Sequence, residues 1–148
     1  MRNLSLFLLG LLFFSAVQAQ SPVSWSYSAK KIAAGVYEIH LIATVQSPWH
    51  IYSQITPDGG PVPTKISFSK NPLVTMEGTA KEVGKLVTKH EEVFGVDVKY
   101  FEGTAEFVQT IKLKNKIKTS ITASVEFMVC NDVQCLPPTT KSFDIALQ

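Results

Sequence analysis

Hydrophobic and polar residues alternate with a period of two through most of the chain after residue 20, the signature of half-buried β-strands. Tyr37, Ile39, Leu41, Ala43 and Val45 share one face of a long run that ends at Ser47-Pro48. Ala105, Phe107, Gln109, Ile111 and Leu113 share one face of a second run. A third carries Ile121, Ala123, Val125, Phe127 and Val129 on its apolar face, and Thr122, Ser124, Glu126, Met128 and Cys130 on the other. Near the start Trp25 and Tyr27 alternate with serines; Ile66 and Phe68 mark a short strand broken by Asn71-Pro72; Phe143, Ile145 and Leu147 close the chain. His40 falls on the polar face of its strand and is expected to face solvent. Residues 73–76 read as another short strand ahead of Gly78, and 79–95 show no clear period. Lys114-Asn115-Lys116 reads as a hairpin turn, and the proline- and glycine-rich segment 56–63 as a loop of polyproline character. No stretch sustains a helical period with caps. Seven to nine strands separated by turn signals predict an all-β chain, an immunoglobulin-like β-sandwich, with a barrel as the competing arrangement.

The first residues break this pattern. Arg2 and Asn3 precede an apolar run over 4–17, and Val17-Gln18-Ala19 offers small residues at a cleavage position, so residues 1–19 read as a secretory signal peptide. A membrane span needs about twenty apolar residues, more than this run supplies, so no stable membrane insertion is expected. Residues 20–148 are enough for one domain with its own core. Removing Arg2 leaves 13 of the 14 basic residues, all lysine, against 12 acidic ones, a net charge of +1. Without arginine there is no bidentate reader of phosphate or guanine, so nucleic acid is not an expected partner.

Export changes the meaning of the only two cysteines, because disulfides persist outside the cytosol. Asn131 and Asp132 are turn formers and Pro137-Pro138 are expected to stop regular pairing, which puts Cys135 on the return limb of a tight loop from Cys130. As a staple the bridge is poor. In the chain-entropy model a closed loop of about six residues contributes roughly 2 kcal/mol, against more than about 4 kcal/mol for a loop of about a hundred. Two readings stand side by side: cysteines placed for chemistry, or a surface staple on a secreted binding module. A third, copper(I) held by Cys130, Cys135, Met128 and His50, is chemically reasonable. The chain has no G-x-S-x-G, glycine-rich phosphate loop or H-E-x-x-H. The pair is also not the C-x-x-C at a helix start that lowers a thiol pKa. On residue pattern alone Phe94, beside Gly95 in the segment 90–95, is an aromatic to be tucked into a core.

The run Cys130-Asn131-Asp132-Val133-Gln134-Cys135-Leu136-Pro137-Pro138, after an alternating strand and before a last one, resembles the N-terminal periplasmic domain of DsbD-type thiol:disulfide interchange proteins, the disulfide bond corrector family. So does Trp49-His50-Ile51-Tyr52 after a long early strand, and the similarity spans residues 21–148. The C-x4-C spacing is one residue shorter than a spacing known in that family. The resemblance implies an immunoglobulin-like sandwich in which Cys130 and Cys135 cycle between dithiol and disulfide, with no metal or organic cofactor. It implies electrons arriving from a membrane-embedded thiol reductase and leaving to thioredoxin-like exported proteins, in the periplasm. As the chain ends at Gln148, both are expected on separate chains. Carried over by position, Glu91, Glu92 and Phe94 match a cap loop whose aromatic shields the disulfide. Tyr52 matches an aromatic beside the site, and His50 stands where the family can carry a tyrosine. Asp132, between the cysteines, is expected to disfavour the thiolate.

Overall fold

The computed structural model of the chain describes residues 21–114 and 117–148. The expected signal peptide, and residues 115–116 of the expected hairpin turn, lie outside them. Among the described residues there is no helix, and the strands are β1 (Val23–Ala33), β2 (Val36–Val45), β3 (His50–Tyr52), β4 (Lys65–Phe68), β5 (Val74–Glu91), β6 (Val96–Leu113), β7 (Thr119–Cys130) and β8 (Cys135–Leu147). All neighbouring strands run antiparallel.

One layer is ordered β1-β2-β6-β5 and the other β4-β7-β8. The short β3 links them, pairing β6 on one side and β7 on the other. The period-two faces of β2, β6 and β7 meet between the layers: Ile39, Leu41, Ala43, Phe107, Ile111, Ile121, Val125 and Phe127 are buried in one cluster with Ile145 and Leu147. Trp25 of β1 crosses the gap to pack on Phe127 and Phe143, with ring centroids 5.2 and 6.4 Å away. This is the immunoglobulin-like sandwich the alternation predicts.

Several expectations need correction. Residues 79–91 are strand throughout, and β5 runs through Gly78 rather than ending before it. It is paired on one side only, is largely exposed, and shifts register twice along β6, so no single face stays buried long enough to write an alternation. The second shift needs Gly84, whose φ is +145° and whose absent Cβ would lie 2.9 Å from the Thr104 carbonyl oxygen. Pro137 and Pro138 do not stop pairing. They sit inside β8, where the register slips between Val129 paired with Leu136 and Phe127 paired with Thr139, and a bulge on an outer strand tolerates their missing N–H groups. His40 is not a free solvent-facing side chain. It is half-buried, with Nδ1 2.6 Å from Glu106 and Nε2 3.6 Å from Glu38, because β6 lays a carboxylate beside it.

Before Gly103, which takes a φ of +73°, the first half of β6 keeps only Phe101 in the main core and runs beside β3 and the second half of β5. A second cluster forms there: Tyr52, Val98, Tyr100 and Cys130 are buried, with Val87, Val96 and Met128 against them. β3 is held in place by its exit loop, where Ser53 N–H donates to Lys99 O and Thr64 Oγ1 donates to Tyr52 O.

Candidate functional site

Cys130 ends β7 and Cys135 begins β8, opposite each other in register, and a disulfide joins them across a Cα–Cα distance of 4.1 Å. The four residues between them are shaped by Asn131. Its Oδ1 accepts from the N–H groups of Val133 and Gln134, and its own N–H donates to Gln134 O, so one side chain folds the turn that brings the sulfurs together. The two cysteines differ in exposure. Cys130 is 2% exposed, whereas Cys135 is exposed. Alternation puts Cys130 off the main core face, correctly, but the outer face is not solvent there: the second cluster covers it.

A cavity of about 250 Å³ over the disulfide is lined by both cysteines, His50, Tyr52, Glu91, Phe94 and Asp132, among others. Phe94 rides the turn between β5 and β6, which closes with the N–H groups of Phe94 and Gly95 donating to Glu91 O. It is half-buried, with its side chain on the wall of the disulfide cavity rather than in the main core. Glu92 is exposed and does not line the cavity. Val93 and Val133, at 87% and 90% exposure, give the rim an apolar surface on both sides.

His50 is buried one strand away from Cys130. β3 sits between β6 and β7, and His50 pairs in register with both Glu102 and Cys130. Its ring stacks at 4.3 Å on Tyr100 and meets Tyr52 edge-on at 5.3 Å, with Nε2 3.3 Å from the Tyr52 hydroxyl. Burial lowers the His50 pKa below its ordinary value, opposed by Glu91, Glu102 and Asp132 and helped by Lys89. Tyr52 is pushed up to about 12, first by burial and then by Glu91, so its hydroxyl stays protonated. Tyr100 is raised as well, chiefly by burial.

Lys89 is the residue that sequence reading missed. Its Nζ lies 3.1 Å from Glu91 and 3.6 Å from Asp132, tying the cap-bearing strand to the cysteine turn and setting a cation against the carboxylate expected to disfavour the thiolate. The hydrogen bond and charge of Glu91 raise its pKa. Nothing in the unpatterned segment 79–95 marks it, because its partner on the cysteine turn is 43 positions away, from 89 to 132. Tyr100 was missed for the same reason. Among the described residues, no three of His, Cys, Asp or Glu converge to hold a metal ion, and both sulfurs a copper site would use are bonded to each other.

An antiparallel sandwich with a disulfide at one end, in a cavity that the β5–β6 turn helps line, defines a class: immunoglobulin-like thiol–disulfide domains. The sequence profile of the thiol:disulfide interchange protein DsbD, N-terminal, matches residues 17–147, and the chain belongs to that family. Solved structures agree on the fold. The DsbD N-terminal domain of Neisseria meningitidis in the reduced form superposes with a TM-score of 0.56 at 14% identity, covering 82% of this chain and 84% of that one. The N-terminal periplasmic domain of ScsB from Proteus mirabilis gives 0.58 at 15% identity, with 84% of this chain aligned to 46% of that one. A complex between the DsbD N-terminal and PilB N-terminal domains of Neisseria meningitidis gives 0.53 at 12% identity, covering 86% and 87%. No curated protein matches by sequence.

Proposed function

We propose that this chain is an exported electron relay that passes reducing equivalents through Cys130 and Cys135, taking them from a membrane-embedded thiol reductase and giving them to thioredoxin-like partners on separate chains. The observation that carries the reading is the asymmetry of the pair, Cys135 exposed and Cys130 buried, at a cavity that Phe94 helps line. A staple needs neither feature. Family membership supports thiol–disulfide interchange, and the existence of a complex between a DsbD N-terminal domain and the PilB N-terminal domain supports a protein acceptor.

The chemistry follows from access. A donor thiolate attacks the exposed Cys135 sulfur, the Cys130 sulfur leaves, and a second donor thiol releases the mixed disulfide, so two electrons and two protons end on the pair. Run backwards against an oxidised acceptor, the same steps unload it. Phe94 serves as the shield over the disulfide, Tyr52 as its aromatic wall, and Glu91 with Asp132 as the charged rim that Lys89 bridges. Such a shield restricts access to the sulfurs to partners able to displace it.

The deciding measurement is the reduction potential of the pair, by equilibrating the purified protein against glutathione or dithiothreitol buffers and counting thiols. The relay requires a value between about −180 and −270 mV, in the range of exchanging dithiols. A value below about −300 mV marks a structural bridge and overturns the relay.

A further inference from the structure

The relay leaves one step without a proton acceptor. When the reduced pair unloads, Cys135 first forms a mixed disulfide with the acceptor, and Cys130 must then lose its proton before it attacks Cys135. Cys130 is 2% exposed in the bridged structure, a position with little water to take that proton, and the thiolate rather than the thiol is the nucleophile. Four titratable side chains besides the cysteines line the disulfide cavity on the β3 and β5 side and the turn: His50, Tyr52, Lys89 and Glu91, with Asp132 on the turn itself making a fifth. Tyr52 holds its proton to about 12. Glu91 and Lys89 are held against each other as an ion pair, and Asp132 is at the exposed rim. His50 is the remaining base, and it is the one paired in register with Cys130; side chains of directly opposed residues on antiparallel strands have Cβ atoms about 4.5–5.5 Å apart.

We propose that His50 is the general base of the resolving step, accepting the Cys130 thiol proton as Cys130 closes the internal disulfide and returning it to the Cys130 sulfur when the pair is loaded. The inference rests on the relay reading and adds a residue role to it. In the unloading direction the S–H bond of Cys130 breaks and its proton goes to the imidazole. The Cys130–Cys135 bond forms, the Cys135–acceptor bond breaks, and the acceptor sulfur leaves as thiolate; the pair has lost two electrons and the acceptor disulfide has gained them.

Three features of the surroundings suit this role. Nε2 lies 3.3 Å from the Tyr52 hydroxyl, and in the tautomer that donates Nε2–H to that oxygen, Nδ1 is the bare nitrogen of a neutral ring. The charges facing that ring are Glu102 from β6, Glu91 and Lys89 from β5 and Asp132 from the cysteine turn, three carboxylates against one ammonium, a balance that favours the imidazolium once formed. Burial works against it and keeps the ring neutral beforehand, ready to accept. His50 is also shared by a second cleft of about 300 Å³, lined by Trp49, Tyr100, Glu102 and Asp132 among others, which gives its ring a second opening toward solvent.

The test mixes reduced protein with glutathione disulfide, quenches with acid at intervals, and quantifies reduced, glutathionylated and internally bridged forms by mass spectrometry across pH 5 to 9. The wild type should pass through the mixed disulfide without accumulating it, with a resolving rate that levels off once the imidazole is neutral. In His50→Phe, which keeps an aromatic against Tyr100, formation of the mixed disulfide should be unchanged. Its resolution should slow by about 10²-fold near pH 7, the usual scale of general base catalysis, and rise steadily with pH as an unaided thiol does. His50→Gln, polar and unable to take a proton, should behave alike and stands in if the Phe variant does not fold. Resolution at the wild-type rate with the wild-type pH profile in either variant overturns the role of His50. Failure of the wild-type pair to exchange with either glutathione disulfide or an oxidised thioredoxin overturns the relay instead.

Discussion

Phe94 and Asn131 show how much one side chain decides at this site. Asn131 supplies two acceptor bonds to backbone N–H groups of its own turn, and without them the four residues between the cysteines would have no reason to bring both sulfurs to one edge. Phe94 sits on the β5–β6 turn, two strands before the cysteine turn that joins β7 to β8, and lines the disulfide cavity because β5 and β6 run on past the main core. Replacing Phe94 with Ala should speed alkylation of the reduced pair by iodoacetamide several-fold. The fold should be nearly unaffected, since the ring is half-buried and outside the main cluster. An unchanged alkylation rate removes the shield assignment. The cysteine pair was legible from the turn formers between its members, whereas Phe94 and Tyr52 were drawn to it only by the family resemblance, residue pattern alone having placed Phe94 in the core. Lys89 and the burial of Cys130 were not, since both depend on strands distant in sequence.

At the scale of elements, β5 and β6 build the site and β3 positions it. β6 serves the sandwich with its second half and the redox end with its first, and β5 follows it through two register shifts. Gly84 sits at the second shift, and a methyl there would meet Thr104 O at 2.9 Å and the Phe101 ring at 3.2 Å in a backbone conformation that disfavours any side chain. Gly84→Ala should therefore cost about 1–3 kcal/mol in urea unfolding, the scale of a forced backbone conformation. It should also loosen the half of β5 that carries Lys89 and Glu91, read as faster amide exchange over 86–91. A variant as stable as the wild type would mean that β5 can realign without that kink. The long strands of the main core were legible because each buries one continuous face; β5 was not, because bulges and exposure erase the period.

For the whole molecule, the core and the disulfide are separate sources of order. The main cluster lies between the layers and does not include Cys130, and the bridge spans a sequence separation of only 5. Reduction should lower the unfolding free energy by about 2 kcal/mol at most, leaving a folded domain in both redox states, as a carrier requires. Urea unfolding with and without dithiothreitol measures this, and loss of the folded state on reduction would mark the bridge as structural.

By itself the sequence determined the all-β class, the strands that form the main core, the loop over 56–63 and the position of the cysteine pair, because these follow from a local period of two and from turn chemistry. The tertiary structure decided what those residues could do. It buried one cysteine and exposed the other, brought the β5–β6 turn to the wall of their cavity, and set His50 in register with Cys130 and Lys89 beside Asp132. Each of these is a contact between segments far apart in the chain, fixed by register and by the bulges and bends that break it, and no local pattern of residues encodes such a distance.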